Sequence, residues 1–334
     1  MSKKIVVTGA TGFVGSHIVE YFMHNKAEGF ELIPSCRDKT KLPNLYQEVA
    51  IQGNLKDQDT LIQITKDADI IIHVASWAEM NGTLEDSQNN YLKPTIALID
   101  KAIENGVERF IFLSAINSNP IEQNKLHTKL PLSEIWPHYD TIMHIEKYLK
   151  DVASKRMQVV ILRVGFFTGK NYSLGVLPIL LPRLKTHLVP WINHGTTSLP
   201  LINGVDIAQA FYLAATKPLS ENFYTINVVG KHIPNVEEVL EYLYIKYNYP
   251  LPWYSVSFGF AYIVARFMRA IYKCTPFDPL LVPAIVLLLE ETNANNDNAR
   301  EILGYEPVID WRESIDMQIE EMQRKQTTNM RMNK

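Results

Sequence analysis

Three glycines near the start of the chain are spaced as in a loop that binds phosphate. They lie within TGATGFVG at residues 8–15, between the apolar run Ile5-Val6-Val7 and a helical stretch. Glycines here allow a tight turn, a close approach of phosphate to the backbone, and close packing of the following helix, whose free N–H groups attract the anion. The spacing therefore predicts a site for the pyrophosphate of a dinucleotide. The residues expected to form it are Gly9, Thr11, Gly12, Phe13, Val14 and Gly15.

An arginine stands at the end of the second apolar run, where the kind of dinucleotide is selected. Arg37 follows the run 30–35 and is succeeded by Asp38 and Lys39. An acidic residue at this strand end binds the ribose 2′-hydroxyl of NAD, whereas a guanidinium pairs in bidentate fashion with the 2′-phosphate of NADP. We therefore expect NADP as the cofactor, and the neighbouring Asp38 leaves NAD open as the alternative.

Short apolar runs alternate with helical stretches through the first half of the chain, and these elements must position the loop and the arginine. The predicted strands cover residues 5–7, 30–35, 48–52, 69–74, 109–114, 158–163 and 224–228, and the predicted helices include 16–23, 94–105, 142–152 and 205–216. Apolar strands separated by helices are typical of a parallel sheet covered on both faces. We predict an α/β fold, a Rossmann-type doubly wound parallel sheet with a smaller, mainly helical C-terminal substrate lobe.

The length of 334 residues is that of two lobes rather than one. Residues 1–165 are predicted to form the dinucleotide-binding domain, and 203–228 to return to it. The substrate lobe is assigned to residues 166–202 and 229–325, where prolines divide the chain into short pieces. Residues 326–334 are predicted to be a frayed polar tail.

Further motifs follow in the order and spacing of a known family. They are Gly53-Asn54-Leu55-Lys56-Asp57, the strand 69–75 with His73, Leu162-Arg163-Val164-Gly165, Val205-Asp206-Ile207-Ala208 and Leu303-Gly304-Tyr305-Glu306-Pro307. With the glycine loop, this set resembles the extended short-chain dehydrogenase/reductase (SDR) superfamily, which includes NAD-dependent epimerases and dehydratases. The layout is most similar to the 3β-hydroxysteroid dehydrogenase and dihydroflavonol reductase branch. The resemblance implies that Asn54, Leu55, Val74 and Ala75 also bind the cofactor.

The resemblance also implies a catalytic tyrosine with a lysine four residues later. Tyr139 is the candidate, but Met143 stands at the position of the lysine. If Glu146 sets the register, the tyrosine position falls on His138 and the lysine position on Ile142. Neither register supplies a lysine, so the catalytic centre is atypical and Tyr139, with His138, is expected to donate a proton during reduction of a carbonyl.

The two other catalytic positions of the superfamily also differ. The hydroxyl that holds the substrate oxygen falls on Ala115, with Ser114 one residue earlier, and the asparagine position falls on Tyr91. Ser114 is therefore the third candidate catalytic residue, after Tyr139 and His138.

Composition excludes several classes of function. The formal net charge of −3 provides no basic field for nucleic acid, so no nucleic-acid partner is expected. Cys36 and Cys274 cannot form a disulfide framework, and the nine histidines show no metal-ligand spacing, so no metal is expected. The start of the sequence has no signal-peptide pattern, which indicates a cytoplasmic protein.

Apolar and aromatic residues are concentrated at residues 253–289. This stretch is interpreted as the core of the substrate lobe, as an apolar substrate pocket, or as a surface in peripheral contact with a membrane. A homodimer is also compatible with the sequence.

The prediction for function is an NADP-binding SDR-type oxidoreductase that reduces a carbonyl on a mainly apolar small molecule. A non-catalytic NAD(P)-binding sensor or assembly subunit is the first alternative. A sugar-nucleotide epimerase or dehydratase is the second.

Overall fold

A seven-stranded parallel sheet forms the centre of the computed structural model, which describes residues 2–118, 126–153, 157–172, 175–272, 279 and 281–332. The strands are β1 Lys3–Thr8, β2 Phe30–Cys36, β3 Ile51–Gln52, β4 Ile70–His73, β5 Arg109–Ala115, β6 Gln158–Val164, β7 Phe166–Thr168, β8 Trp191–Ile192, β9 Leu201–Asn203, β10 Phe223–Val228 and β11 Ser255–Val256. The order in the large sheet is β10-β6-β5-β4-β1-β2-β3, and two further pairs, β7 with β9 and β8 with β11, lie outside it. Successive strands are added on one side of β1 up to β3 and on the other side from β4 onward, and this switch in strand order places a crevice at the carboxyl ends of β1 and β4.

Helices connect the strands and cover both faces of the sheet. They are α1 Phe13–His24, α2 Asn44–Gln47, α3 Gln58–Thr65, α4 Leu84–Ser87, α5 Lys93–Glu104, α6 Leu132–Ile135, α7 Pro137–Ala153, α8 Val176–Leu184, α9 Gly204–Thr216, α10 Val236–Tyr247, α11 Phe258–Tyr272, α12 Pro283–Leu288 and α13 Trp311–Met332. Among the described residues, none of these helices combines the length and the apolar character needed to cross a bilayer.

The strands are apolar on both faces because each face meets a helical layer. In β1, Val6 packs with α3, α5 and α7 on one side, while Ile5 and Val7 pack with α1 and α9 on the other. This alternation of faces along one strand follows from the two-residue period of side chains in a β-strand. The predicted fold class, a doubly wound parallel sheet with helices on both faces, is confirmed.

The C-terminal elements have a core of their own. Helices α8, α10 and α13 bring together Leu177, Leu181, Leu240, Leu243 and Ile315, all of which are buried. The strand β10, at residues 223–228, pairs with β6 in the large sheet rather than with these helices.

Two predicted elements need correction. The third strand covers only Ile51–Gln52 and not 48–52, because helix α2 and a turn occupy residues 44–49. Residues 326–332 were expected to fray, but α13 continues to Met332, since the sequence contains no proline or glycine that would end it. Cys274 and the predicted apolar residue Leu280 lie outside the described residues.

Candidate functional site

The glycine loop joins the end of β1 to the start of α1. Gly9 has a φ of +71°, and a Cβ on it would lie 2.7 Å from the backbone of Ala75. A Cβ on Gly15 would lie 2.2 Å from the carbonyl oxygen of Gly9, so the first turn of the helix packs directly on the loop. Gly12 is exposed and precedes the helix without any side-chain cap. The free N–H groups of the first turn are therefore left for a ligand, and the loop fits the pyrophosphate of a dinucleotide.

Two charged side chains follow β2: Asp38, whose carboxylate is hydrogen-bonded within the protein, and Arg37, which is exposed. Asp38 accepts hydrogen bonds from the backbone N–H of Thr40 at 3.1 Å and from its hydroxyl at 2.6 Å. These two bonds hold the pKa of the Asp38 carboxyl below its usual value. Arg37 is exposed, and among the described residues its guanidinium forms no ion pair, so it is accessible to an anionic ligand.

Asn54 and Leu55 follow β3 at the same edge of the sheet. Asn54 is exposed and its side-chain oxygen accepts a hydrogen bond from the backbone N–H of Lys56 at 3.1 Å, which fixes the turn. Leu55 is half-buried against the core beneath the sheet. Both residues stay predictions as cofactor contacts.

His73 ends β4 and is fully enclosed. Its Nδ1 atom lies 2.7 Å from the hydroxyl of Thr8, and its Nε2 atom lies 3.1 Å from the hydroxyl of Thr95. Burial lowers the pKa of His73 to about 3, so the ring is neutral. It ties β4 to β1 and α5 and thereby positions Val74 and Ala75 beside the glycine loop.

An apolar cavity of about 360 Å³ opens at the carboxyl ends of β5 and β6. Ala115 and Val164 lie at these ends, and α8, α11 and α12 supply most of the opposite wall. The side chains with hydroxyl, imidazole or guanidinium groups among its lining residues are few: Ser76, Tyr91, Ser114, His138, Tyr139, Tyr172, Arg183 and Tyr254. Arg183 donates to the carbonyl oxygens of Ile179 and Pro279, at 2.7 Å and 3.1 Å. The cavity can therefore hold an apolar molecule with a single polar end near the tyrosines.

The first turn of α7 brings both candidate proton donors to this cavity. Tyr139 and His138 are buried and line it, and the Tyr139 ring packs on Trp136 with 4.3 Å between ring centroids. Burial, and secondarily the neighbouring Tyr172, raises the pKa of the Tyr139 phenol. Burial lowers the pKa of His138 to about 4, so this imidazole is neutral at neutral pH.

Tyr91 is a further candidate for the site, which the sequence analysis recorded only as a departure from the asparagine of the SDR pattern. It lies on a π-helical turn, Gln88–Leu92, between α4 and α5. Its ring stands 5.5 Å from that of His138, and it lines the cavity. The signal that could have found it is the asparagine position of the SDR pattern, which it occupies.

Ser114 belongs to a buried ionic network instead of standing free in the cavity. Its hydroxyl donates to Glu146 at 2.5 Å, and Glu146 receives two bonds from Arg163, Nε to Oε1 at 3.1 Å and Nη2 to Oε2 at 2.5 Å. Ser118 lies 3.2 Å from the Ser114 hydroxyl. The Ser114 proton is thus committed to the carboxylate, which fixes the floor of the cavity.

A family model for the NAD dependent epimerase/dehydratase family matches residues 5–230, more than half of the chain. The chain belongs to this family. The match spans the glycine loop, the cavity floor and strand β10, so the predicted membership of the extended SDR superfamily is confirmed. Binding of a nicotinamide dinucleotide follows from membership together with the fit of the loop.

Relatives in the family differ widely in the molecules their names record. The decarboxylating sterol-4-alpha-carboxylate 3-dehydrogenase of Dictyostelium discoideum is 22% identical over 339 residues, 94% of this chain and 99% of that protein. The 4-hydroxy-2-methyl-3-oxo-4-farnesyl-3,4-dihydroquinoline-1-oxide ketoreductase of Stigmatella aurantiaca is 20% identical and covers 93% and 94% of the two chains. The UDP-glucuronic acid 4-epimerase of Bacillus cereus, solved with UDP-glucuronic acid and NAD, superimposes with a TM-score of 0.71, 16% identity and coverage of 96% and 99%. That likeness to a solved structure shows the fold.

This family member has no lysine at the position four residues after its proton-donor candidates. Ile142 lines the cavity, whereas Met143 is not among the residues that line it. The side chains one turn apart that face the cavity are therefore His138 and Ile142, and Glu146 follows them on the same face to meet Arg163. Tyr139 lines the cavity as well, so both registers place a candidate proton donor there.

Proposed function

We propose that this protein is an NADP-binding oxidoreductase that reduces a carbonyl group on a mainly apolar small molecule. The observation that carries the proposal is the apolar cavity at the carboxyl ends of β5 and β6, into which Tyr139 projects. The cavity has few polar groups and lies beside a loop that fits a dinucleotide. Such a site is suited to a redox reaction on an apolar substrate. The names of the Dictyostelium and Stigmatella relatives record a sterol dehydrogenase and a ketoreductase of a farnesylated ring, which supports the substrate class.

The chain's own part in the reduction is to place the carbonyl and to supply a proton. Reduced nicotinamide, when bound, supplies the hydride that becomes bonded to the carbonyl carbon. Tyr139 gives its phenolic proton to the carbonyl oxygen, the C=O double bond becomes a C–OH single bond, and the phenolate recovers a proton from solvent. Since burial raises its pKa, Tyr139 holds this proton at neutral pH, which favours reduction over oxidation of an alcohol. His138 is neutral there and does not act as the cationic acid.

NADP is favoured over NAD by the two side chains that follow β2. The Asp38 carboxylate already accepts two hydrogen bonds from Thr40, and it is therefore poorly placed to accept another from the ribose 2′-hydroxyl. The exposed Arg37, with Lys39 and Lys41 nearby, offers the charge that pairs with a 2′-phosphate.

Turnover of a panel of apolar ketones with NADPH tests the reaction. Tyr139→Phe removes the proton donor and is expected to lower kcat by about 10²–10⁴-fold, the usual value of general acid–base help. Tyr148→Phe is the matched control, because Tyr148 lies on the same helix and bonds Asp100 outside the cavity. Undiminished turnover in Tyr139→Phe would contradict the assignment of the donor.

Titration of the protein with NADPH and NADH tests the cofactor. We expect tighter binding of NADPH, and Arg37→Asp is expected to abolish or reverse the preference because it replaces the cation by a carboxylate. Glu20→Asp, an exposed conservative change on the far turn of α1, is the control and keeps the preference. Equal binding of both dinucleotides by the unmodified protein would overturn the 2′-phosphate assignment.

A non-catalytic dinucleotide-binding module is the second candidate, and the missing lysine favours it. A lysine four residues after the donor would lower the donor's pKa, but Met143 stands there for Tyr139 and Ile142 for His138. The two candidates differ in one measurement: NADPH that binds but is not oxidised with any ketone of the panel supports the binding module. The sugar-nucleotide alternative receives less support, since Arg183 is the one charged side chain among the cavity's lining residues and it is engaged by two backbone carbonyls.

A further inference from the structure

Large apolar side chains are exposed on three segments that also contribute residues to the cavity lining. We call this set the apolar rim; it consists of Leu188, Trp253, Tyr254, Phe260, Ile263, Phe267 and Ile271. An exposed apolar patch of this kind marks a site of contact with a protein or a membrane.

Helix α11 provides most of the rim because it is apolar on two opposite faces. Phe258, Ala261 and Ala265 are buried in the core on one face. Ile263 and Phe267, four residues apart, are 68% and 65% exposed on the other. The buried face holds the helix against the core. The exposed apolar face makes no such contribution to folding, so it is available to bind another molecule or surface.

The rim continues directly into the cavity. Leu188, Tyr254 and Phe260 are exposed and also line the cavity. Two hydrogen bonds hold the rim segments together: Trp253 Nε1 donates to the carbonyl oxygen of His187 at 3.1 Å, and the Tyr254 hydroxyl donates to that of Leu188 at 2.9 Å. An apolar molecule resting on the rim would therefore reach the cavity without crossing a polar surface.

The chain segments that carry the rim contain only positive charges. Residues 183–190 and 251–272 contain no aspartate or glutamate. Lys185 and Arg266 are exposed beside the apolar side chains, and Arg269 is half-buried with Glu134 as its acidic neighbour from α6. Exposed cations next to a tryptophan, a tyrosine and an apolar helix face match the interfacial zone of a bilayer with anionic headgroups.

We propose that the apolar rim docks on an anionic lipid membrane and that the cavity receives its substrate from that membrane. The docking part of this proposal depends only on the rim. The delivery of substrate from the membrane rests on the proposed function, because it assumes an apolar substrate dissolved in the bilayer. Ile263 and Phe267 enter the acyl boundary, Trp253 and Tyr254 lie at headgroup depth, and Lys185 and Arg266 pair with lipid phosphates.

Cosedimentation with phosphatidylcholine vesicles, with and without phosphatidylserine, tests docking without requiring any turnover. The full chain is expected to bind the anionic vesicles and to be released by high salt. The double variant Ile263→Ser/Phe267→Ser is expected to bind about tenfold more weakly or worse, since both side chains lose their burial in lipid. Ile62→Ser, which removes an exposed apolar side chain of α3 away from the rim, keeps full binding. NADPH affinity in the absence of vesicles verifies that every variant is folded.

Three outcomes decide against docking, and a fourth bears only on the delivery of substrate. Absence of binding to anionic vesicles, or equal binding by the double variant, would overturn it. So would conversion of a dimer to a monomer by the double variant with vesicle binding unchanged, because the rim would then be an interface between two copies of the chain. Ketone reduction in detergent-free buffer that vesicles neither supply nor accelerate would leave docking standing and remove only the delivery of substrate.

Discussion

Removal of the charge on Glu146 is expected to destabilise the protein strongly. Glu146 and Arg163 are both buried beneath the cavity, and the carboxylate receives two bonds from the guanidinium and one from Ser114. Glu146→Gln keeps the shape of the side chain but deprives the buried guanidinium of this carboxylate.

The size of the effect follows from burial. Removal of one partner of a buried ion pair costs about 3–5 kcal/mol, because the other charge stays in a medium of low polarity. A surface pair costs less than about 1 kcal/mol. The exposed i,i+4 pair of Glu320 and Arg324 on α13 is the surface case in the same chain, so Glu320→Gln is the matched control.

Urea unfolding followed by tryptophan fluorescence measures both variants. Glu146→Gln should shift the midpoint well below that of Glu320→Gln, and the apolar pair Glu146→Leu/Arg163→Met should recover most of the loss, since no buried charge is left. In that double variant Ser118 still donates to the carbonyl oxygen of Ala115 at 2.6 Å. Equal midpoints for Glu146→Gln and Glu320→Gln would refute the reasoning.

Two further predictions concern the loop and the pH dependence. Gly15→Ala should lower the melting temperature with and without NADPH, because the new Cβ would lie 2.2 Å from the carbonyl oxygen of Gly9. In Gly12→Ala the new Cβ would lie 3.2 Å from the same oxygen, so this variant should bind NADPH more weakly with little loss of melting temperature. The folded pKa of His138 lies near 4, below its unfolded value, so stability is full above about pH 6.5 and falls by about 1.4 kcal/mol per unit as the pH drops toward 4. His138→Gln should make acid unfolding shallower, while His144→Gln on the exposed face of α7 should leave it unchanged; identical acid profiles for the parent and His138→Gln would contradict the burial argument.

The large sheet could be predicted from sequence because its strands are buried on both faces. Within the strands Ile70–His73 and Gln158–Val164, residues 70–72 and 159–162 are apolar without interruption, and this pattern can be recognised before the neighbouring strands are known. The pairs of β7 with β9 and of β8 with β11 could not be predicted. They are two or three residues long, and β8 and β11 are separated by more than sixty residues, so nothing local in either segment indicates the pairing.

The candidate site was predictable only where a motif has a fixed local geometry. Gly9, Gly12 and Gly15 lie in the short loop after β1 and the first turn of α1, so their spacing is enough to predict the loop. The network of Ser114, Glu146 and Arg163 joins three elements, with sequence separations of 32 and 17 residues between bonded partners. The burial of these polar groups depends on how the three elements pack in the folded protein. From the sequence alone, Glu146 served only to align the tyrosine and lysine positions of the SDR pattern.

A side chain beside the phosphate loop packs against two side chains that line the cavity. The Phe13 ring on the loop lies 4.5 Å from the ring of Tyr172 and 5.5 Å from that of Phe167, and both of these line the cavity. A substitution that reshapes Tyr172 for a different substrate also changes the packing of the residue that follows Gly12. Coupling of this kind is reciprocal. Substitutions at Tyr172 that alter the cavity are therefore expected also to alter the affinity for the dinucleotide.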